Sequence, residues 1–362
     1  MQVAGTNGKG SICTFLEAGL KAAGIRCGLY TSPHLVSWTE RIRIDSSPIA
    51  APELRRILNT LQPVGQQFDL TPFELITAAA FVAFAEANVE LAVLEVGLGG
   101  RLDATTCHPQ RSLIGFASIG LDHGEVLGSS AAAIAAEKAG VLERGCRAFS
   151  ARQSPEVAAV LEVEAERRGA VLTWLEPLDP GAWDLGLAGA VQHSNGAVAL
   201  ALLQALAAER WPISDAAIRE GFAAARWPGR LQPWQWNGRP LLLDGAHNLP
   251  AVERLRSELD ANPERHGLMP GPRHWVIGIL ANKQGPEMLT TLLAPGDQAW
   301  LVPVPEHASW SRTAVVEAEP ALSQQMEESP DLEAALQAAT SAASGTVVVA
   351  GSLYLLGALL AG

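Results

Sequence analysis

The chain has 362 residues, 48% of them hydrophobic and 18% charged, with a formal net charge of −12. That length suits two domains, and that composition builds a core, which excludes a disordered acidic chain. The acidic balance, without a Lys/Arg cluster, excludes a long nucleic-acid groove but leaves room for a few basic residues to converge on an anionic substrate.

Residues 1–4 read as the end of a strand running into Gly5-Thr6-Asn7-Gly8-Lys9-Gly10-Ser11. Residues 11–23 follow as a helix, with Ile12, Phe15, Leu16 and Leu20 on one stripe. Residues 27–30 form a short strand. Strand, glycine loop, helix, strand opens a parallel α/β unit. A helix is predicted over 73–87, a strand buried on both faces over 91–96, and a glycine-rich turn over 97–103. A further strand covers 113–119, with Asp122 and His123 just beyond it. Residues 131–139 are helical, and 190–208 form a long helix with Asn195 near its start.

Composition shifts at Arg226-Trp227-Pro228-Gly229-Arg230, which places a domain boundary there and divides the chain into 1–229 and 230–362. Beyond it, strands are predicted at 240–243, 274–280, 299–304 and 346–350, with a final helix. Residues 306–330 are polar and receive no element. The expected fold is α/β: a P-loop-type, mostly parallel ATPase domain, then a smaller Rossmann-like domain. Cys13, Cys27, Cys107 and Cys146 are scattered and suggest neither zinc site nor disulfide framework. With no signal peptide read and no stretch apolar enough to span a bilayer, the expectation is a soluble cytoplasmic protein without a membrane partner.

The glycine loop is the first chemical candidate. Close glycines let backbone N–H groups turn toward phosphate oxygens, and the following helix aims its positive end at the same point. Thr6, Asn7, Gly8 and Gly10 shape that cradle, Lys9 adds a point charge, and the Ser11 hydroxyl can ligate Mg²⁺. The spacing G-x-x-G-K-G-S departs from the strict G-x-x-x-x-G-K-[ST] form. Glu95 ends the buried strand at 91–96, where ligands of open α/β sheets sit and a carboxylate can hold Mg²⁺. Ser32 and His123 follow two other strand ends, so Ser11, Ser32, Glu95 and His123 can share one rim. Imidazole is a less usual Mg²⁺ ligand, so His123 fits a structural role equally well. Lys138, taken alone, is a helix-end cation on a solvated face. Asp244 and His247 sit at a strand end of the second domain. Arg230 is equally a phosphate contact or a surface charge.

Together these stretches resemble folylpolyglutamate synthase/dihydrofolate synthase, a branch of the Mur ligase superfamily, over nearly the whole chain. The resemblance rests on residues 3–11 (VAGTNGKGS), 28–35 (GLYTSPHL), 40–44 (ERIRI), 94–105 (LEVGLGGRLDAT), 119–123, 137–140 (EKAG), 244–248 (DGAHN) and 351–354 (GSLY). It implies that ATP phosphorylates a carboxylate of dihydropteroate or a reduced folate, and that the amine of L-glutamate then attacks the acyl phosphate. It implies Mg²⁺, two ions, with Ser11 and Glu95 at one and Ser32 and His123 at the other. It implies a carbamylated Lys138 in the metal site, and catalytic roles for Lys9, His123 and Lys138. Asn195, Arg230, Asp244 and His247 match nucleotide contacts. Thr71, Phe73, Arg101 and Asp103 match the region that receives the pterin. A monomer is expected.

Some positions depart from the family pattern. Family members usually carry a segment ahead of the first strand, so either the chain is truncated at its N-terminus or its start is misplaced, and the strand that anchors the loop is short. Val191-Gln192 stands where His-Gln is usual, Leu249 replaces a proline, and Asn282-Lys283-Gln284 stands where Asp-Lys-Asp is usual. Two other classes share part of the pattern. A Mur-type ligase for UDP-linked precursors has the loop and the lysine but not Thr-Ser-Pro-His-Leu. A truncated paralogue would bind nucleotide or folate without turnover.

Overall fold

The computed structural model describes residues 1–108, 111–209, 211–268, 271–343 and 345–362. These form two compact units, Met1–Trp227 and Pro228–Gly362. Among the described residues, no helix is long and apolar enough to cross a membrane.

The first unit is built on β1 (Gln2–Ala4), β2 (Cys27–Tyr30), β3 (Ile42–Ile44), β4 (Ser47–Pro48), β5 (Leu91–Glu95), β6 (Leu113–Phe116), β7 (Arg147–Ala151) and β8 (Val171–Leu175). They run in the order β4-β3-β2-β5-β1-β6-β7-β8. Pairing is parallel from β2 through β8; only β3 and β4 are antiparallel. The three-residue β1 lies in the middle, with Val3 opposite Glu95 of β5 and Gly115 of β6. Its side chains alternate between faces, as a strand requires. Val3 joins the cluster of Ile12, Phe15 and Leu202, whereas Ala4 joins Phe116, Ile134 and Leu161.

Helices cover both faces: α1 (Lys9–Ala22), α2 (Ala51–Gln67), α3 (Pro72–Glu86), α4 (Gly124–Leu127), α5 (Ala131–Ala139), α6 (Pro155–Arg168), α7 (Val191–Ala208) and α8 (Asp215–Ala224). α1, α7 and α8 pack through Phe15, Leu16, Leu203 and Phe222. The helix over 131–139 is as expected. The predicted strand over 113–119 ends at Phe116, because Ala117 and Ser118 instead turn to meet the glycine loop.

The second unit holds β9 (Gln232–Trp236), β10 (Arg239–Leu243), β11 (His274–Ile277), β12 (Gln298–Leu301), β13 (Met326–Glu328) and β14 (Val347–Ala350). Their order is β13-β12-β11-β14-β10-β9, parallel except for the β9 edge. Its helices are α9 (Leu249–Ala261), α10 (Gly285–Leu292), α11 (Arg312–Ala318), α12 (Leu332–Ala342) and α13 (Leu353–Ala361). The molecule is thus α/β with two mostly parallel sheets. Residues 306–330, unassigned from sequence, contain α11, a 3₁₀ turn and β13.

Candidate active site

The glycine loop lies between β1 and α1 and is tied to the chain beyond β6. The N–H groups of Thr6 and Asn7 both donate to the Ser118 carbonyl, at 2.8 and 3.3 Å. The Ser118 hydroxyl returns a bond to the Asn7 carbonyl at 3.2 Å. Thr6 Oγ1 donates to the Gly120 carbonyl and accepts from the Gly120 N–H. Two glycines are required by geometry. Gly5 has φ +145°, and a Cβ there would stand 2.7 Å from the Ala117 Cβ. Gly8, which caps α1, has φ +100°, and a Cβ would stand 2.5 Å from Asn195 Oδ1.

Gly8 offers no side-chain cap and the first turn of α1 carries no acid, so its N–H groups present an anion site. Lys9 Nζ rests 3.2 Å from the Thr6 carbonyl. Ser11 is buried in the first turn of the same helix. Asn195 is buried in α7, its amide donating to Gln192 Oε1 at 2.9 Å. Gly8→Ala is expected to lower the thermal midpoint by several degrees, since a left-handed backbone costs an alanine about 1–2 kcal/mol before any clash. It should also weaken binding of an anion at the start of α1; unchanged melting and unchanged phosphate titration would contradict this account of the loop.

Glu95 ends β5 with 5% of its surface exposed. The Ser32 N–H donates to its Oε2 at 3.2 Å, so the structure brings the ends of β2 and β5 together. The segment after Ser32 is held by Glu40, whose carboxylate accepts the N–H groups of Leu35, Val36 and Ser37 at 2.9, 3.0 and 2.7 Å. This clamp was not recognised from sequence, although Glu40 fits a capping box with Ser37.

The turn after Glu95 is organised by Asp103. One carboxylate oxygen accepts from the Gly97 and Leu98 N–H groups, each at 3.0 Å. The other accepts from the N–H and hydroxyl of Thr105. Gln2 of β1 donates to the hydroxyls of Thr105 and Thr106. Phe73 packs its ring against Gly97 and lies 6.1 Å from Tyr30, centroid to centroid. Thr71 is exposed and caps α3 in a box with Glu74. Arg101 is exposed and bonds Glu137 Oε1 at 2.9 Å.

Lys138 corrects the single-residue reading. It is not on a solvated face; only 5% of it is exposed. The reason is local. Gly100 and Gly140 let the 97–103 turn close on the end of α5, where a Cβ on Gly100 would stand 2.9 Å from the Lys138 carbonyl. Its pKa is lowered from 10.5 to about 7, chiefly by burial and then by the Lys9 charge, against the opposing pull of Asp122 and Asp103. His123 has φ +52°, and its side chain is 41% exposed. Asp122, given no role from sequence beyond its place after the strand, is nearly buried; its Oδ1 accepts the His123 N–H, and its Oδ2 lies 3.8 Å from His123 Nε2. No signal separated Asp122 from an ordinary turn aspartate.

In the second unit Asp244 is buried at the end of β10 and accepts the N–H groups of Leu231 and Ala246 at 3.0 and 2.9 Å. Burial raises its pKa, opposed by Arg230. Arg230 Nη1 bonds the Gly229 carbonyl, and His247 Nδ1 meets the Gly245 carbonyl at 2.7 Å. Arg230, Asp244 and His247 are therefore grouped around one turn.

Among the described residues no three His, Cys, Asp or Glu side chains cluster as a metal site. The oxygen donors proposed from sequence are the Ser11 and Ser32 hydroxyls and buried Glu95, of which the structure joins the Ser32 backbone and Glu95 directly. Such a set fits Mg²⁺, a hard cation bound through one or two carboxylates plus water and phosphate oxygens.

Residues 230–361 match the family model described as "Dihydrofolate synthetase, C-terminal domain". The folylpolyglutamate synthase of Lacticaseibacillus casei is 34% identical over 339 residues, covering 84% of this chain and 76% of the relative. The solved structure of Escherichia coli FolC in complex with DHPP and ADP superposes with a TM-score of 0.87 at 30% identity, covering 99% of this chain and 87% of that one. A Yersinia pestis bifunctional folylpolyglutamate synthase/dihydrofolate synthase, complexed with AMPPNP and Mn ion, gives a TM-score of 0.84 at 32% identity, covering 99% and 87%. The chain belongs to the folylpolyglutamate synthase/dihydrofolate synthase family.

Proposed function

We propose that the chain is an ATP-dependent acid–amino-acid ligase that joins L-glutamate to dihydropteroate, to the γ-carboxylate of reduced folates, or to both. The observation that carries this reading is the intact glycine loop with Lys9, set between β1 and α1 and close enough to buried Lys138 to depress its pKa. The relatives' ADP, AMPPNP and DHPP complexes support it.

In this reading a substrate carboxylate oxygen attacks the γ-phosphorus of ATP and ADP leaves. The glutamate amine then attacks the acyl carbon, and phosphate leaves as the amide forms. Thr6, Asn7, Gly8 and Gly10 wrap the phosphates, and Lys9 carries a positive charge to them. Asn195, Arg230, Asp244 and His247 are assigned to the nucleotide. Thr71, Phe73, Arg101 and Asp103 are assigned to the pterin side, where Asp103 also fixes the turn. Mg²⁺ bound here would offset phosphate charge and hold the attacking and leaving oxygens in line. Ser11 and Glu95 would hold one ion; Ser32, His123 and Lys138 would hold a second.

Lys138 enters as a carbamate. At neutral pH a lysine titrating near 7 is about half free amine, where an ordinary lysine is almost wholly ammonium; that amine attacks CO₂, releases a proton and becomes an anionic oxygen ligand. The reading carries with it a monomeric cytoplasmic enzyme.

The test is phosphate release with ATP, dihydropteroate and L-glutamate. Release that depends on glutamate supports the proposal. Release only with a UDP-muramyl acceptor would make the chain a different Mur-type ligase, and nucleotide binding without release would make it a non-catalytic paralogue. Glu95→Ala is expected to raise the half-saturating Mg²⁺ concentration at least about tenfold, the loss of one direct carboxylate ligand. An unchanged Mg²⁺ titration would remove Glu95 from the metal.

A further inference from the structure

A cavity of about 430 Å³ lies along the later turns of α1, walled by the β3–β4 turn on one side and α8 on the other. Its size is that of a small-molecule pocket. None of its lining residues belongs to the site described above. α1 and α8 meet so closely at its floor that a Cβ on Gly221 would stand 2.5 Å from the Ala18 carbonyl oxygen.

One wall is an ion pair between a buried acid and a half-buried base, the Arg43 side chain being 19% exposed. Arg43 Nη2 lies 3.1 Å from Glu17 Oε2, and the Glu17 side chain is 3% exposed. Arg43 Nη2 also bonds the Ser46 carbonyl at 3.0 Å, and the Ser46 backbone N–H donates to Glu17. The pair is not fully satisfied. Glu17 Oε1 and Arg43 Nε are both buried without a hydrogen-bond partner. Each such group costs about 1–3 kcal/mol if left unpaired, and burial accordingly pushes the Glu17 carboxyl up against the pull of Arg43. The pair lacks one donor for the acid and one acceptor for the base.

The rim repeats the two-sign pattern, with Lys21, Arg226 and Glu220 lining the same cavity. A simple anion would face Glu17 and Glu220; a simple cation would face Arg43 and Lys21. A molecule with a carboxylate and an ammonium a few ångströms apart meets both.

We infer that this cavity binds a small zwitterion of the α-amino-acid class, its carboxylate toward Arg43 and Lys21 and its ammonium toward Glu17 and Glu220. The inference does not depend on the ligase reading.

Calorimetric titration of the whole chain without ATP or Mg²⁺ tests it. The probes are glycine, L-alanine and L-glutamate, with acetate and methylammonium as half-molecules. At least one amino acid should bind one to one, and each half-molecule at least about tenfold more weakly. Ala224→Trp fills the cavity from an exposed lining position, and Lys21→Glu reverses an exposed charge. Each should weaken binding about tenfold or more, with thermal midpoints near that of the parent confirming the fold. No binding by any amino acid, acetate binding as well as glycine, or undiminished binding in Ala224→Trp would each overturn the inference.

Discussion

Replacing Lys9 by alanine should reduce ATP turnover on the order of 10³-fold, roughly 4 kcal/mol of transition-state stabilisation. The fold should survive. Lys9 is half-buried at the first position of α1, and its ammonium bonds the Thr6 carbonyl of its own loop, whose place is held independently by Ser118 and Gly120. Removing a cation from a helix N-terminus is neutral or mildly stabilising. The loss should therefore appear in kcat rather than in the melting temperature. A second consequence is specific to this structure. Lys9 helps hold the Lys138 pKa down, so Lys9→Ala should raise it. Normal turnover in Lys9→Ala would show that the loop does not serve ATP.

Lys138→Ala should lose activity by roughly 10²–10³-fold, as for loss of a group that completes a metal site. Short carboxylic acids such as acetate or formate should restore part of it by supplying the missing anionic oxygens. Full activity in the mutant would count against the carbamate. The pH dependence has a definite sign. Carbamate formation consumes the free amine, so activity should fall as pH drops through about 7, where Lys138 becomes an ammonium. Since each carbamate formed releases a proton, a tenfold rise in dissolved CO₂ should move that limb down by up to about one pH unit. Stability follows the same shift. Between about 7 and 10.5 the unfolded chain binds more protons at this lysine than the folded one. The native state therefore gains stability as pH rises through that window, and the burial penalty is largest below it. Thermal melts of Lys138→Met should lack this component of the rise.

The parts of the fold legible in the sequence are those where one physical requirement dominates. Residues 91–94 are an unbroken apolar run because β5 is central, and Gly5 and Gly8 mark left-handed or crowded backbone that no other residue fits. Elements at the margins were not legible. Residues 171–175 of β8 alternate only weakly, because that strand is a half-exposed edge. α2 carries an internal Pro63, a breaker that argues against a helix, and stands through Leu54 and Ile57 packing on α3. The 306–330 stretch is organised by distant bonds, such as Arg312 to the Met326 and Ser323 carbonyls, which no local pattern announces.

The candidate site divides the same way. Glu95 and Ser32 were readable because strand ends and ligand rims coincide in α/β sheets, and the structure joins them directly. The burial of Lys138 was not readable from Glu-Lys-Ala-Gly alone. It depends on Gly100 and Gly140, forty residues apart in sequence, opening room for a turn to close over the helix end. Asp122 and Glu40 were missed for a related reason: their carboxylates act on neighbouring backbone, which composition and spacing do not distinguish from a solvated acid.

The acyl-phosphate step is the central claim, and isotope transfer reads it directly. Dihydropteroate labelled with ¹⁸O in both carboxylate oxygens is incubated with the chain, ATP, Mg²⁺ and L-glutamate, and the released phosphate is analysed by mass spectrometry. The account predicts one ¹⁸O in each phosphate and an equal amount of glutamylated product retaining the other. Phosphate free of label, or release of AMP and pyrophosphate in place of ADP and phosphate, would contradict it.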